Sequence, residues 1–411
     1  CVMFLMTGRC TLKSCNKEQD VRMTKQGIFC VGALVAMMGI QPIAYAQQSD
    51  LYQFSAHFID LAMFTDESMT GDHTTNSASL LLNADLNLVS DQNHNFGRIK
   101  IQYAVNGLND DAQLNTSTNW MGGVGSYIGG AIAANDLAPM QLSLFTWDKK
   151  WNDQLFSSVG RTNIRRHFLY NNCENPVLCT DPIKGAMGSL PVSYGYWGAY
   201  LKYDLNDQFY VHSGIYEVNT DDYVNKNKGL DFSTKKSIGE TQVYGLGYHF
   251  NPKNKAEILY FNNNSEYKNA FTKQLYEGTE GLNFRFDYDF GQSYLPTFFG
   301  AYSYINETNQ PYKSYWELGF HYPLNESFKH IGLKYGRSSL NDDFVKHMTT
   351  INGNDHQEAS FISIDTKFKY KNLTLSPFAQ YIWNPDNYYQ AKGDVFENNV
   401  IVGLLTQFKI Y

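Results

Sequence analysis

The 411-residue sequence predicts an all-β chain, a transmembrane antiparallel β-barrel of about sixteen strands with two long inward-folding loops. Three observations predict it. The chain holds 30 Tyr and 27 Phe, yet its mean hydropathy is −0.41, so its apolar content is interleaved with polar residues. No apolar run of about 18 residues follows residue 46, which excludes a helical membrane bundle. Finally, apolar and polar residues alternate with period two, and the segments that do so are joined by alternately short and long connections.

The clearest alternation runs Leu282-Asn-Phe-Arg-Phe-Asp-Tyr-Asp-Phe290, apolar on one face and polar on the other. Leu80 to Leu88, Ile99 to Val105, Trp197 to Leu205 and Ile362 to Tyr370 repeat it. Extended along the chain, this reading places strands near 51–64, 76–90, 96–106, 140–150, 154–163, 194–205, 208–219, 237–250, 255–264, 281–290, 293–306, 312–323, 326–338, 357–370, 373–384 and 396–411. Connections after even strands are turns such as Trp151-Asn-Asp153, Asn206-Asp207, Asn251 to Asn254 and Lys371-Asn372, rich in residues that favour hairpins. Most connections after odd strands are longer; Glu307 to Pro311 is an exception. A soluble sandwich also alternates, but it has no reason to sort its connections by end. A bacterial outer-membrane barrel does, with periplasmic turns and extracellular loops. Trp147, Trp151, Tyr196, Trp197, Tyr244, Tyr260, Trp316, Tyr322, Tyr381 and Trp383, near strand ends, are expected in the two interfacial girdles.

Upstream of the strands, Met23 begins a three-part pattern. Lys25 is the positive region, Ile28 to Ile40 the apolar stretch, and Ala44-Tyr-Ala46 the small-residue cleavage site. This reads as a signal peptide over 23–46, with 1–22 lying upstream and 47–411 forming the barrel. Cleavage would leave 28 basic and 38 acidic residues, a balance that excludes a nucleic-acid binder. Of the six cysteines only Cys173 and Cys179 would remain, a close pair that reads as a disulfide in an exported protein.

The two longest connections are 107–139 and 164–193. The first carries the small-residue run Met121 to Ala134, too short to span a bilayer. The second carries the cysteine pair with Pro176, Pro182 and Pro191, which stiffen it. Both are expected to fold into the barrel, where a channel of sixteen strands would otherwise be wide.

Arg161-Thr-Asn163, Tyr170-Asn-Asn-Cys-Glu-Asn-Pro-Val-Leu-Cys179, Pro191-Val-Ser-Tyr-Gly-Tyr-Trp-Gly198 and Gly214-Ile-Tyr-Glu-Val-Asn219 follow one another in that order. In this the chain resembles the carbohydrate-selective porin family of Gram-negative outer membranes, the OprB type, from about Gln102 to the C-terminus. The stretch Gln47–Asn95 and the ending Gln407-Phe-Lys-Ile-Tyr411 depart from the family pattern. The resemblance implies a sixteen-stranded barrel that admits sugars by diffusion through a charged constriction. It also implies outer-membrane lipid and the barrel-assembly machinery as partners, as a monomer or homotrimer, with no cofactor.

Strand parity nominates Arg98, Lys100, Arg161, Asp204, Glu217, Arg285, Asp287 and Glu317 as pore-lining, and Arg165 and Arg166 open the second long loop. Charged residues with aromatics suit a sugar, which is rimmed with hydroxyls and apolar on its ring faces. The Arg165-Arg166 pair also leaves open a channel for small hydroxylated or anionic nutrients. A surface receptor, with its long loops, and an outer-membrane enzyme are the remaining readings. For the enzyme there is no Gly-x-Ser-x-Gly elbow, and the ten histidines show no ligand spacing. Neither a catalytic nor a metal site is therefore expected.

Overall fold

The computed structural model describes residues 51–68, 73–89, 95–106, 108, 140–169, 178, 183–188, 194–219, 228–268, 274–292, 294–306, 312–386 and 395–410. Residues 1–46, most of the 107–139 connection, and both Cys173 and Cys179 lie outside them. The chain separates into Cys1–Gln47 and Gln48–Tyr411, and the second unit forms the barrel.

Its strands are β1 Tyr52–Thr65, β2 Thr74–Val89, β3 Asn95–Asn106, β4 Met140–Lys150, β5 Leu155–Thr162, β6 Tyr196–Asp204, β7 Phe209–Val218 and β8 Gly239–His249. They continue with β9 Lys255–Lys268, β10 Leu275–Asp289, β11 Thr297–Asn306, β12 Tyr312–Pro323, β13 Phe328–Leu340, β14 Glu358–Tyr370, β15 Leu373–Trp383 and β16 Asn398–Lys409. Each pairs antiparallel with its sequence neighbours, and β1 pairs with β16 from His57↔Lys409 to Thr65↔Ile401, closing the barrel. Closure leaves no open strand edge, the condition for a sheet to exist in lipid. No described helix is long and apolar enough to cross a membrane.

The alternation resolves into two faces. On β10, Leu282, Phe284 and Tyr288 are exposed on the outside, whereas Asn283 and Arg285 are buried inside. On β13, Ile331 points out and His330 and Lys334 point in. Outside, Trp147 and Trp151 meet edge-on at 5.9 Å near the turn end. At the other end an aromatic band runs through Trp316–Tyr335 and Tyr335–Trp383. Tyr196 departs from the expected girdle: it is buried, and its hydroxyl accepts the Ile164 N–H at 3.0 Å.

Four turns use the same device. The Oδ1 of Asn152, Asn206, Asn251 and Asn325 each accepts two backbone N–H groups, two and three residues ahead. A short amide side chain thereby satisfies donors that a tight turn leaves free. The β9–β10 connection is shorter than the sequence predicts because both strands extend past a bulge between Glu277 and Thr279, where Gly278 adopts φ +90°. The β13–β14 connection contains an 11-residue helix at Asp342–Asn352, absent from the strand reading. Asn341 caps it by accepting the Asp343 N–H, and Gly353 at φ +80° ends it. Phe344, Val345 and Met348 pack with Leu340 and Tyr312.

Candidate functional site: a loop strapped across the barrel interior

The β5–β6 connection turns inward as it leaves the strand. Asn163, fully buried, accepts the Arg165 N–H with Oδ1 and donates from Nδ2 to the Tyr194 carbonyl, both at 3.0 Å. One side chain thus ties the start of the loop to its end. A 3-10 turn over Ile164–Arg166 follows, and His167 stacks on Tyr200 with centroids 4.2 Å apart. Ile164, Phe168, Leu169, Ile183, Ala186 and Met187 then pack on inward residues of the wall: Tyr200, Tyr216, Val243, Leu259, Phe261 and Ile305. Helix α1, Ile183–Ala186, is fastened there by two bonds. Thr241 Oγ1 donates to the Met187 carbonyl at 2.9 Å, and Asn263 Nδ2 to the Ala186 carbonyl at 3.0 Å.

Further round the barrel, Leu178 packs with Tyr315 and Phe361, and its carbonyl accepts from Lys334 Nζ. The same ammonium donates to Glu317 Oε2 at 3.0 Å, and the Tyr315 hydroxyl donates to the same oxygen at 2.5 Å. The described parts of this loop therefore touch the inner wall from β6 to β14.

The wall carries charge on both sides. On β2–β4, Arg98 reaches Asn87 at 2.7 Å and Asp85 at 3.3 Å, and Lys100 reaches Asp148 at 3.0 Å. Arg166 crosses from the loop to donate to Gln102 Oε1 at 2.6 Å. On β9–β12, Lys255 opposes Asp287 and Glu257 opposes Arg285 in register, with Ala301 leaving space between Arg285 and Glu317. Glu257 also accepts the Tyr210 hydroxyl at 2.7 Å and lies 3.3 Å from His212. Glycines make room for these groups: a Cβ at Gly245 would collide with the His212 ring, and one at Gly247 with Tyr210.

Enclosure shifts the loop cations and histidine. Burial pushes the Arg165 guanidinium down to about 10, and lowers Arg166 while Asp148 opposes the shift. Both remain cations at neutral pH. Burial pushes His167 down to about 4, so it is neutral.

Arg98, Lys100, Asp204, Arg285, Asp287 and Glu317 thus lie on inward rows, and Arg165 and Arg166 on the inward loop. Two expected wall residues lie on the outward row instead. Arg161 pairs with Phe145 and Trp197, in the outward row of exposed Val159, and is buried with Nε on the Leu142 carbonyl and Nη2 on Gln141. Glu217 shares the outward row of exposed Ile215, opposite Glu240, and accepts the Trp197 N–H at 3.4 Å. Both stand near the long-connection ends of their strands. Phe232 of the β7–β8 connection packs between Phe145 and Trp197 over the same region. The sequence reading missed His212, Glu257, Lys334 and Asp365 as inward groups, although their parity with Tyr210, Leu259, His330 and Ser363 could have located them.

A closed sixteen-stranded barrel with an inward loop and a charged wall defines the porin class. The chain matches the carbohydrate-selective porin family, OprB, over residues 85–410, and belongs to it. Its structure is similar to the high-pH structure of Pseudomonas putida OprB, with TM-score 0.71 and 16% identity over 88% of this chain and 94% of that one. It is also similar to a loop L8 deletion mutant of OmpT, an outer membrane protein of Vibrio cholerae, with TM-score 0.50 and 11% identity over 87% of this chain and 98% of that one. Among curated proteins none matches at a significant level.

Proposed function

We propose that this chain is a passive outer-membrane channel for carbohydrates, glucose-like monosaccharides or small sugars, and acts as a channel rather than an enzyme. Residues 23–46 direct export, and the barrel-assembly machinery inserts residues 47–411. The observation that carries the reading is the loop lying across a charged and aromatic interior. In a barrel this wide, such a strap narrows the path and brings solute within reach of both walls. Arg98, Lys100 and Arg166 on one side, and Asp287 on the other, offer donors and acceptors to sugar hydroxyls, while Arg285 and Glu317 are buried in the wall. Because Arg98, Lys100 and Arg166 already hold Asp85, Asp148 and Gln102, each contact with solute is an exchange rather than a net gain, which keeps binding weak enough for release.

Arg166 beside Lys100 also supports passage of hydroxylated anions. Reconstitution in planar bilayers tests both. Stepwise conductance with current reduced by glucose or a small oligosaccharide is expected; conductance without any sugar-dependent block would refute carbohydrate selectivity. Liposome swelling with size-matched neutral and anionic solutes separates the two solute classes, and faster entry of the anion would favour the second.

A further inference from the structure

Two of the ten histidines scattered along the sequence, His321 and His330, are brought together by the strand register at one place on the inner wall. His321 on β12 opposes Gly332 on β13, and Gly332 opposes Asp365 on β14, so the three stand in one cross-strand row. His330, two residues from Gly332, faces the same way. We propose that His321, His330 and Asp365 bind a divalent transition-metal ion of the zinc class at the turn end of the barrel interior.

The geometry carries this in four respects. All three residues are buried, and one ligand atom from each lies within 4.8 Å of the others. His330 Nε2 is 2.9 Å from Asp365 Oδ2. Ligand atoms on a tetrahedral ion at about 2.0 Å stand about 3.3 Å apart, so small side-chain rotations admit the ion. Gly332 supplies the room: a Cβ there would meet the Asp365 carboxylate and stand 3.1 Å from His321 Cδ2. The donors are also held. His321 stacks on Phe299 at 4.7 Å, and Thr366 Oγ1 bonds the His330 carbonyl at 2.6 Å. Finally, His321 and His330 line a cavity of about 460 Å³, through which an ion enters and a water completes its coordination.

Two imidazoles and one carboxylate suit zinc and its neighbours better than magnesium or calcium, which require oxygen donors. Lys329, Lys367 and Lys369 line the same cavity and oppose a cation held by charge alone, which sharpens that preference.

The test is competition for Zn²⁺ between a chromophoric indicator and the untagged, detergent-purified protein. Folding is checked by faster gel migration of the unboiled sample. One Zn²⁺ per chain is expected, with no binding of Mg²⁺ at the same concentration. His321→Gln and Asp365→Asn should each weaken binding roughly tenfold or more. Gly332→Ala keeps all three donors and should weaken it equally, whereas His73→Gln, an exposed histidine outside the row, should leave it unchanged. No Zn²⁺ binding by the folded parent protein, or equal binding by parent and the folded row variants, would overturn the proposal.

Discussion

Lys334 joins the wall to the loop, since one ammonium serves both the Leu178 carbonyl and Glu317. Both charged side chains are about one-twentieth exposed. Lys334→Met therefore strands a buried carboxylate, a change that costs about 3–5 kcal/mol when one partner of a buried pair is removed. The urea midpoint for loss of the fast-migrating form should fall, and adding Glu317→Gln should recover part of the loss. A midpoint unchanged by Lys334→Met would show the pair to be energetically idle. His167 gives a residue-scale pH dependence. Its folded value of about 4 lies below the ordinary 6.5, chiefly through burial, with Asp148 opposing and Arg166, Lys100 and His212 adding to it. The unfolded chain therefore takes up a proton that the folded loop resists. The stabilisation from neutral His167 is complete above about 6.5 and is lost as pH falls toward about 4. Proteolysis of the loop should accelerate over that window, and His167→Phe, which keeps a ring on Tyr200, should flatten the response. Residue-level placement was only partly legible in the sequence. Parity located Arg98 and Arg285 because the pairing is unbroken from Arg98 to Gln102 and from Thr279 to Asp287, but Arg161 and Glu217 are polar residues on an outward row near the long-connection ends, where polarity does not report the inside.

At the scale of elements, the strands were legible because lipid requires one face to be apolar; Leu282 to Phe290 shows this at every position. The signal blurs where the inner face is apolar too. Val243, Leu259, Phe261 and Ile305 receive the inward loop, and Ile59, Leu61, Met63, Ile401 and Leu405 form a second inner apolar cluster. Nothing in a local window distinguishes these from lipid-facing residues. The Asp342–Asn352 helix was missed for a different reason: its apolar residues follow helical spacing within a stretch scanned for alternation. The β5–β6 loop is the element on which solute selection rests. Replacing 164–193 with a short turn removes the strap while leaving every strand pair intact. Conductance should rise roughly twofold or more and sugar block should vanish, because a wider path reduces contact with the wall. A loop-deleted barrel with unchanged conductance would place the constriction elsewhere. A milder form of the same test is Asn163→Ala, which releases the Arg165 N–H and the Tyr194 carbonyl. Each unmet buried group costs about 1–3 kcal/mol, so the loop should be cut faster by protease while the barrel keeps its gel mobility.

At the scale of the molecule, stability depends on closure more than on any one contact. The β1–β16 seam joins residues 336 to 352 positions apart, and β16 contributes both its ladder with β15 and its ladder with β1. Removing residues 398–411 would leave the edges of β1 and β15 facing hydrocarbon. Each unpaired backbone group there costs several kcal/mol, and the remaining fifteen strands cannot re-close without changing every inter-strand angle and register. Loss of the fast-migrating form and of channel activity is therefore expected in full rather than in proportion to the strand removed. Excising residues 220–227 from the β7–β8 connection provides the contrast, since that change breaks no strand pair and should leave the heat-dependent gel shift intact. If the truncated chain still migrated as a compact form and conducted, pairing around the seam would be dispensable, and the argument from closed hydrogen bonding would fail for this barrel.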